Sequence, residues 1–205
     1  VAAPKGPAVE YAHGSRTGSS VALTFHGAGD PDIARQLLAI LAARHASVTV
    51  MAVGTWVAEN RAVARAIAAG GHELGNHTYS HLDINSLPRD AARAEITRCR
   101  DVLQATVGSA GALFRPSQAQ NASPLVRQLA GAAGYRVCLS YDIDSLDYTD
   151  PGPAAIRRAV ATARAGSIVS LHFGHPGTVT ALPMILDDLA SRGLTPVAAS
   201  HLLPA

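Results

Sequence analysis

His77-Thr78-Tyr79-Ser80-His81 carries two imidazoles four positions apart, just after a short apolar segment and among small polar residues. On a helical turn that spacing puts both rings on one face, close enough to grip one ion. Neutral imidazole is the commonest protein metal ligand near neutral pH. A zinc ion held this way lowers the pKa of its water to about 7 and acts as a Lewis acid. Other polar and titratable residues stand at the ends of strand-like runs: His26, Arg115, Asp142 and His172.

The elements that must position these residues are legible from apolar runs and their punctuation. Val21 to Phe25 reads as a buried strand, followed by the loop His26-Gly27-Ala28-Gly29-Asp30. Asp30 is an N-cap with Pro31 in the first helical position, which predicts a helix to about Arg44. Strands are expected at Val48 to Val53, His72 to Gly75, Leu113 to Arg115, Tyr135 to Tyr141, Ser167 to Leu171 and Thr195 to Ala198. Helices are expected at Ala62 to Ala69, from Pro88 to about Val107, from Pro124 to Gly134, at Pro153 to Arg164 and at Leu182 to Arg192. An acidic loop, Asp142 to Asp150, precedes one of them. This alternation of about seven strands with helices predicts an α/β fold with a parallel sheet, open or closed into a barrel. In such folds the strand C-terminal ends build the site.

The chain of 205 residues suits a single core, and no linker divides it. Residues 1–17 read as a loosely held lead-in and residues 18–205 as the working domain. The start, Val1-Ala2-Ala3-Pro4, looks like a mature or trimmed end, and a secreted or cell-envelope location is expected. The formal charge is +2 with no Lys/Arg cluster, so neither a nucleic-acid partner nor a polybasic membrane anchor is supported. No apolar run is long enough to span a bilayer. Cys99 and Cys138 can pair or stay free; Cys99 falls on the stripe Ala92, Ile96, Cys99, Leu103, which favours a buried thiol.

From about Val21 to Leu203 the chain resembles the polysaccharide deacetylases, carbohydrate esterase family four. Five motifs carry the likeness. Thr24-Phe25-His26-Gly27-Ala28-Gly29-Asp30 stands against Thr-Phe-Asp-Asp-Gly, and His77-Thr78-Tyr79-Ser80-His81 fits well. Phe114-Arg115-Pro116 stands against Arg-Pro-Pro plus an aromatic. Asp142 to Tyr148 matches a run that usually ends Asp-Trp. Ser167-Ile168-Val169-Ser170-Leu171-His172 stands against Ile-Val-Leu-Leu-His-Asp. The resemblance implies a distorted (β/α)7 barrel, a divalent metal (zinc, with cobalt or nickel as alternatives) and removal of N- or O-linked acetyl groups from a carbohydrate. The implied partner is an acetylated glycan or oligosaccharide.

Carried over residue by residue, the likeness assigns His77 and His81 to the metal and His172 to the general acid, with Asp147 orienting it. The first motif departs: the base and the third ligand of the family are carboxylates, and here those places hold His26 and Gly27. Two repairs are open. In the first, which is preferred because a carboxylate follows two glycines that let the backbone turn sharply, the loop folds back so that Asp30 completes the metal site and His26 is the base. In the other, His26 itself is the third ligand. Arg115 is expected to orient His26, Asp30 or a neighbouring acid; Asp142 and Asp144 are candidates to hold Arg115 or line the cleft. Tyr79, Tyr148 and Pro116 are the expected substrate contacts. Ser117 and Gln118 replace a Pro and an aromatic, which predicts a different or thinner groove. Two other readings share the scaffold: a glycan-binding protein with an impaired site, and a metal hydrolase of another non-peptide C–N bond.

Overall fold

The computed structural model describes residues 6–204. Val1-Ala2-Ala3-Pro4, read above as a trimmed end, lies outside the described residues. Nine strands are joined by parallel pairings: β1 (Val9–Tyr11), β2 (Ser20–Gly27), β3 (Thr49–Ala52), β4 (Glu73–Asn76), β5 (Leu113–Phe114), β6 (Val137–Leu139), β7 (Ile143–Asp144), β8 (Ile168–His172) and β9 (Thr195–Pro196). Their order is β1-β6-β5-β4-β3-β2-β8-β7, with β9 added on β2. The run from β6 to β7 is the expected distorted (β/α)7 arrangement, curled but not closed. Parallel strands need helical crossovers, and these coat the outer face.

The helices are α1 (Pro31–Ala43), α2 (Gly54–Glu59), α3 (Arg61–Ala69), α4 (Arg89–Val107), α5 (Pro124–Ala132), α6 (Pro153–Val160) and α7 (Pro176–Ser191). Local chemistry starts and stops them. The Asp30 carboxylate accepts the Asp32 N–H at 2.8 Å at the head of α1. Ser123 caps α5 in the same way, and α4 ends on Gly108 in the left-handed region at φ 77°. The main core lies between β2, β3 and β8 and the helices α1, α3 and α7, and includes Phe25, Leu37, Val50, Ile67 and Leu171.

The structure corrects the sequence reading in several places. Val9–Tyr11 is not loose lead-in: it pairs with Val137–Leu139, and Ala8 before it is buried. Three residues are too short a run to announce themselves as a strand. α2 was not expected, and α7 begins six residues earlier than Leu182 and runs through Pro183. The acidic loop holds a short strand, β7, and one 3₁₀ turn at Asp147–Thr149. Cys99 and Cys138 are both free and buried. No described helix is long and apolar enough to cross a membrane.

Candidate active site

The titratable residues meet at the C-terminal edge of the sheet. His26 closes β2, His77 follows β4, Arg115 follows β5 and His172 closes β8. In parallel strands, residues in register stand side by side about 4.8 Å apart. His26 is in register with His172, and their rings stack with centroids 4.2 Å apart and 27° between planes. Thr24 and Ser170 pair one step deeper on the same inward face.

His77 and His81 do not sit on a helical turn. The chain bends after β4, with Thr78 at φ 65° and His81 at φ 57°. A β-branched residue in the left-handed region is strained, and it is held here because the Asn76 side chain accepts the Thr78 N–H at 2.9 Å. The bend brings the two rings to 4.9 Å. Gln118 and Leu146, at φ 54° and 55°, bend the facing loops. The two rings do come together as the spacing suggested, but through a bend rather than a helical turn.

One ligand atom from each of His26, His77 and His81 lies within 4.8 Å of the others, the one such cluster among the described residues. The His77 Nδ1–H donates to the Arg115 carbonyl at 3.0 Å, which leaves Nε2 as a lone pair. That Nε2 meets His26 Nδ1 at 2.9 Å. Two nitrogens on a tetrahedral zinc, each about 2.05 Å from it, stand roughly 3.3 Å apart. The His26–His77 pair therefore reaches that spacing by opening a few tenths of an ångström, and His81 offers a third nitrogen within 4.8 Å of both. Burial, reinforced by neighbouring His77, Arg115 and His172, holds His26 well below its ordinary pKa; burial and the charge of His81 do the same to His77. Both rings are thus neutral, as ligands must be.

Asp30 is elsewhere. Its side chain is exposed and committed to capping α1, so the fold-back of the Gly27-Ala28-Gly29 loop does not occur. Gly27 points away from the cleft, as strand alternation requires. A Cβ there would meet Val50 Cγ1 at 2.8 Å and Ala52 Cα at 3.1 Å.

Arg115 is fully buried and has no carboxylate partner among the described residues. Its guanidinium donates to the Leu139 carbonyl at 2.8 Å, to Thr24 Oγ1 at 2.9 Å, to the Ser140 carbonyl at 3.3 Å and to His26 Nε2 at 3.2 Å. Burial pushes its pKa down to about 10. Asp142 does not reach it: that carboxylate takes Arg16 at 2.8 Å and the Ile168 N–H.

The opposite wall is a built acid–base pair. Asp147 is buried, and its carboxylate accepts the His172 Nδ1–H at 2.7 Å, the His172 backbone N–H at 2.8 Å and the Thr178 hydroxyl at 2.7 Å. Burial alone would raise its pKa, but the His172 hydrogen bond and charge outweigh it and the carboxyl is held below its ordinary value. His172 Nε2 is left without a hydrogen-bond partner among the described residues.

A cleft of about 290 Å³ opens over these groups, lined by His26, His81, Tyr141, Tyr148, Ser170 and His172, with Asp144 and two glutamines at its rim. Tyr148 is half exposed and stands edge-on to His172 at 5.2 Å. Tyr79 is not available: Arg98 covers its ring at 3.7 Å and it packs on the core. Pro116 is buried and is not among the residues that line the cleft. Gln118 donates to the His81 carbonyl at 2.8 Å and Gln120 to the Tyr141 carbonyl at 3.0 Å, so polar amides form the groove wall. Ser170, Tyr141 and Gln120 carried no role in the sequence reading; the one available signal for Ser170 is a hydroxyl at a place where the likeness has an apolar residue.

The polysaccharide deacetylase family model matches residues 13–138. The chain belongs to the polysaccharide deacetylase family. It is 32% identical over 188 residues to a peptidoglycan-N-acetylglucosamine deacetylase of Bacillus cereus, covering 89% of this chain and 87% of that protein. It is also 32% identical over 192 residues to a chitooligosaccharide deacetylase of Rhizobium leguminosarum, covering 86% and 88%. Among solved structures, a family 4 carbohydrate esterase from Streptomyces lividans in complex with acetate superposes with a TM-score of 0.82 at 26% identity, covering 87% of this chain and 91% of that one. A family 4 pseudoenzyme from Bacillus anthracis superposes with a TM-score of 0.89 at 23% identity, covering 96% and 69%. That last likeness concerns the fold alone. The motif order that suggested the family and the strand order that displays it thus agree.

Proposed function

We propose that this chain is a metal-dependent hydrolase that removes N- or O-linked acetyl groups from a glycan, with His26, His77 and His81 holding the ion. The observation that carries this reading is the convergence of three neutral imidazoles and an Asp147-oriented His172 on one cleft. Zinc is the expected ion, with cobalt or nickel able to replace it. When bound, the ion supplies Lewis acidity and an acidified water.

The chain's own residues do the rest. Asp147 holds the His172 Nδ1–H, which leaves Nε2 as the ring atom able to take a proton and return it to the leaving amine or alkoxide. Since His26 is drawn into the ligand set, His172 serves both directions. Tyr148 offers a ring to a sugar face, and Gln118 and Gln120 offer amides to its hydroxyls. The named relatives act on peptidoglycan and chitooligosaccharides, which makes an acetylated amino sugar the first substrate to try. A secreted or cell-envelope location is the reading that goes with such a substrate.

A second reading, a glycan-binding protein with an impaired site, draws on one feature: among the described residues no carboxylate joins the three imidazoles, because Gly27 has no side chain and Asp30 caps a helix. Acetate release from acetylated chitooligosaccharides, peptidoglycan and acetylxylan separates the two. Metal-stripped protein should be inactive and regain activity with zinc, cobalt or nickel. Glycan binding without metal uptake or acetate release would sink the enzyme reading.

A further inference from the structure

His26 has a difficulty as a ligand that the structure both creates and resolves. The guanidinium of Arg115 is a donor only, so its Nη1 at 3.2 Å makes His26 Nε2 an acceptor. The neutral ring then carries its hydrogen on Nδ1, which donates to His77 Nε2 at 2.9 Å. In that tautomer Nδ1 has no lone pair for an ion, and the His77 lone pair is also occupied.

To bind through Nδ1, His26 must move its hydrogen to Nε2 and find an acceptor there. Arg115 offers none. The Ser170 hydroxyl does: its Oγ lies 3.2 Å from His26 Nε2 and is 1% exposed with its residue. It has no other hydrogen-bond partner among the described residues. A hydroxyl both donates and accepts, so it serves either tautomer where an apolar side chain would serve neither.

We propose that Ser170 is the positioning residue that lets His26 act as a metal ligand, by accepting the Nε2–H when Nδ1 turns to the ion. The proposal rests on the three-imidazole reading above. It also ties together two departures from the family's motifs, His26 for a carboxylate and Ser170 for Leu, which touch across the β2–β8 pairing.

The test is metal affinity of the metal-stripped full chain, measured by chelator competition with zinc and by the visible absorption of cobalt. Ser170→Ala should weaken zinc binding about 10–100-fold, the usual cost of losing an outer hydrogen-bond partner of a ligating His. It should also alter the cobalt spectrum. Ser170→Thr keeps the hydroxyl and should recover affinity to within a few-fold. His26→Ala should weaken binding at least as much as Ser170→Ala. Wild-type affinity in Ser170→Ala, with weakened binding in His26→Ala, would overturn the role of Ser170 and leave the three-imidazole site standing. Equal losses in the alanine and threonine variants would reveal a packing effect and also overturn it. Wild-type affinity in His26→Ala would remove the three-imidazole site itself.

Discussion

The two walls of the cleft handle charge in opposite ways. On the β7–β8 side, the Asp147 carboxylate is fully met by His172 and Thr178. On the β2–β4–β5 side a buried guanidinium and three imidazoles face one another with no acid among them. The first wall is complete by itself. The second has its lone pairs and donors matched to each other, and a bound ion would have to break that matching. Buried charge is costly without partners, so Arg115 depends on carbonyls and on His26 for its place.

The sharpest way to break the comparison is Asp147→Asn. It should lower acetate release by about 10⁴-fold, the scale seen when the orienting acid of a His is neutralised, while bound zinc stays at the wild-type amount. Loss of zinc in this variant would mean that the two walls are not independent. Next in size is Arg115→Met, which strands the carbonyls of Leu139 and Ser140 at about 1–3 kcal/mol each, read from the denaturant midpoint. An unchanged midpoint would show that those carbonyls find water.

Gly27→Asp asks whether a carboxylate can simply be put back. The new side chain would press on Val50 and Ala52 under the helix layer, so stability should fall by about 1–3 kcal/mol with no gain in zinc affinity. Tighter zinc binding would show that the end of β2 rotates more freely than its packing implies.

A separate test is pH. His26 and His77 are lowered from an ordinary 6.5, mainly by burial. The unfolded chain therefore takes up protons below about 6.5 that the folded metal-free chain refuses, and stability falls with falling pH by about 1.4 kcal/mol per unit for each ring. Asp147, held below its ordinary 3.8, loses its contribution only at more acid pH. Thermal unfolding of metal-free protein from pH 8 to 5 should show the imidazole loss alone. A flat profile would contradict the assignment of both rings as neutral.

Much of the site was visible in residue order. Cap chemistry placed α1 at Asp30-Pro31, Pro124 marked the start of α5, and apolar runs placed the principal strands within one or two residues, except that β6 was read too long, from Tyr135 to Tyr141. The same cap signal at Asp30 also argued against its use as a ligand, since one carboxylate serves one purpose there. Short strands such as β1, β5 and β7 owe their existence to neighbours rather than to their own two or three residues. Tyr79 looked free only because nothing local reveals that Arg98, nineteen positions on, lies over its ring.

Residue types and their spacing determined the family, the pair His77 and His81, and the coupling of a late His to an acid in the preceding loop. Those follow from local patterns that repeat wherever the chemistry is used. Tertiary structure decided which third group meets that pair, because register between β2 and β8 and the bends after β4 and β5 set which side chains share one volume. It also decided where each hydrogen sits on His26, since a donor-only guanidinium and an amphoteric hydroxyl reach the same ring nitrogen from strands far apart in sequence.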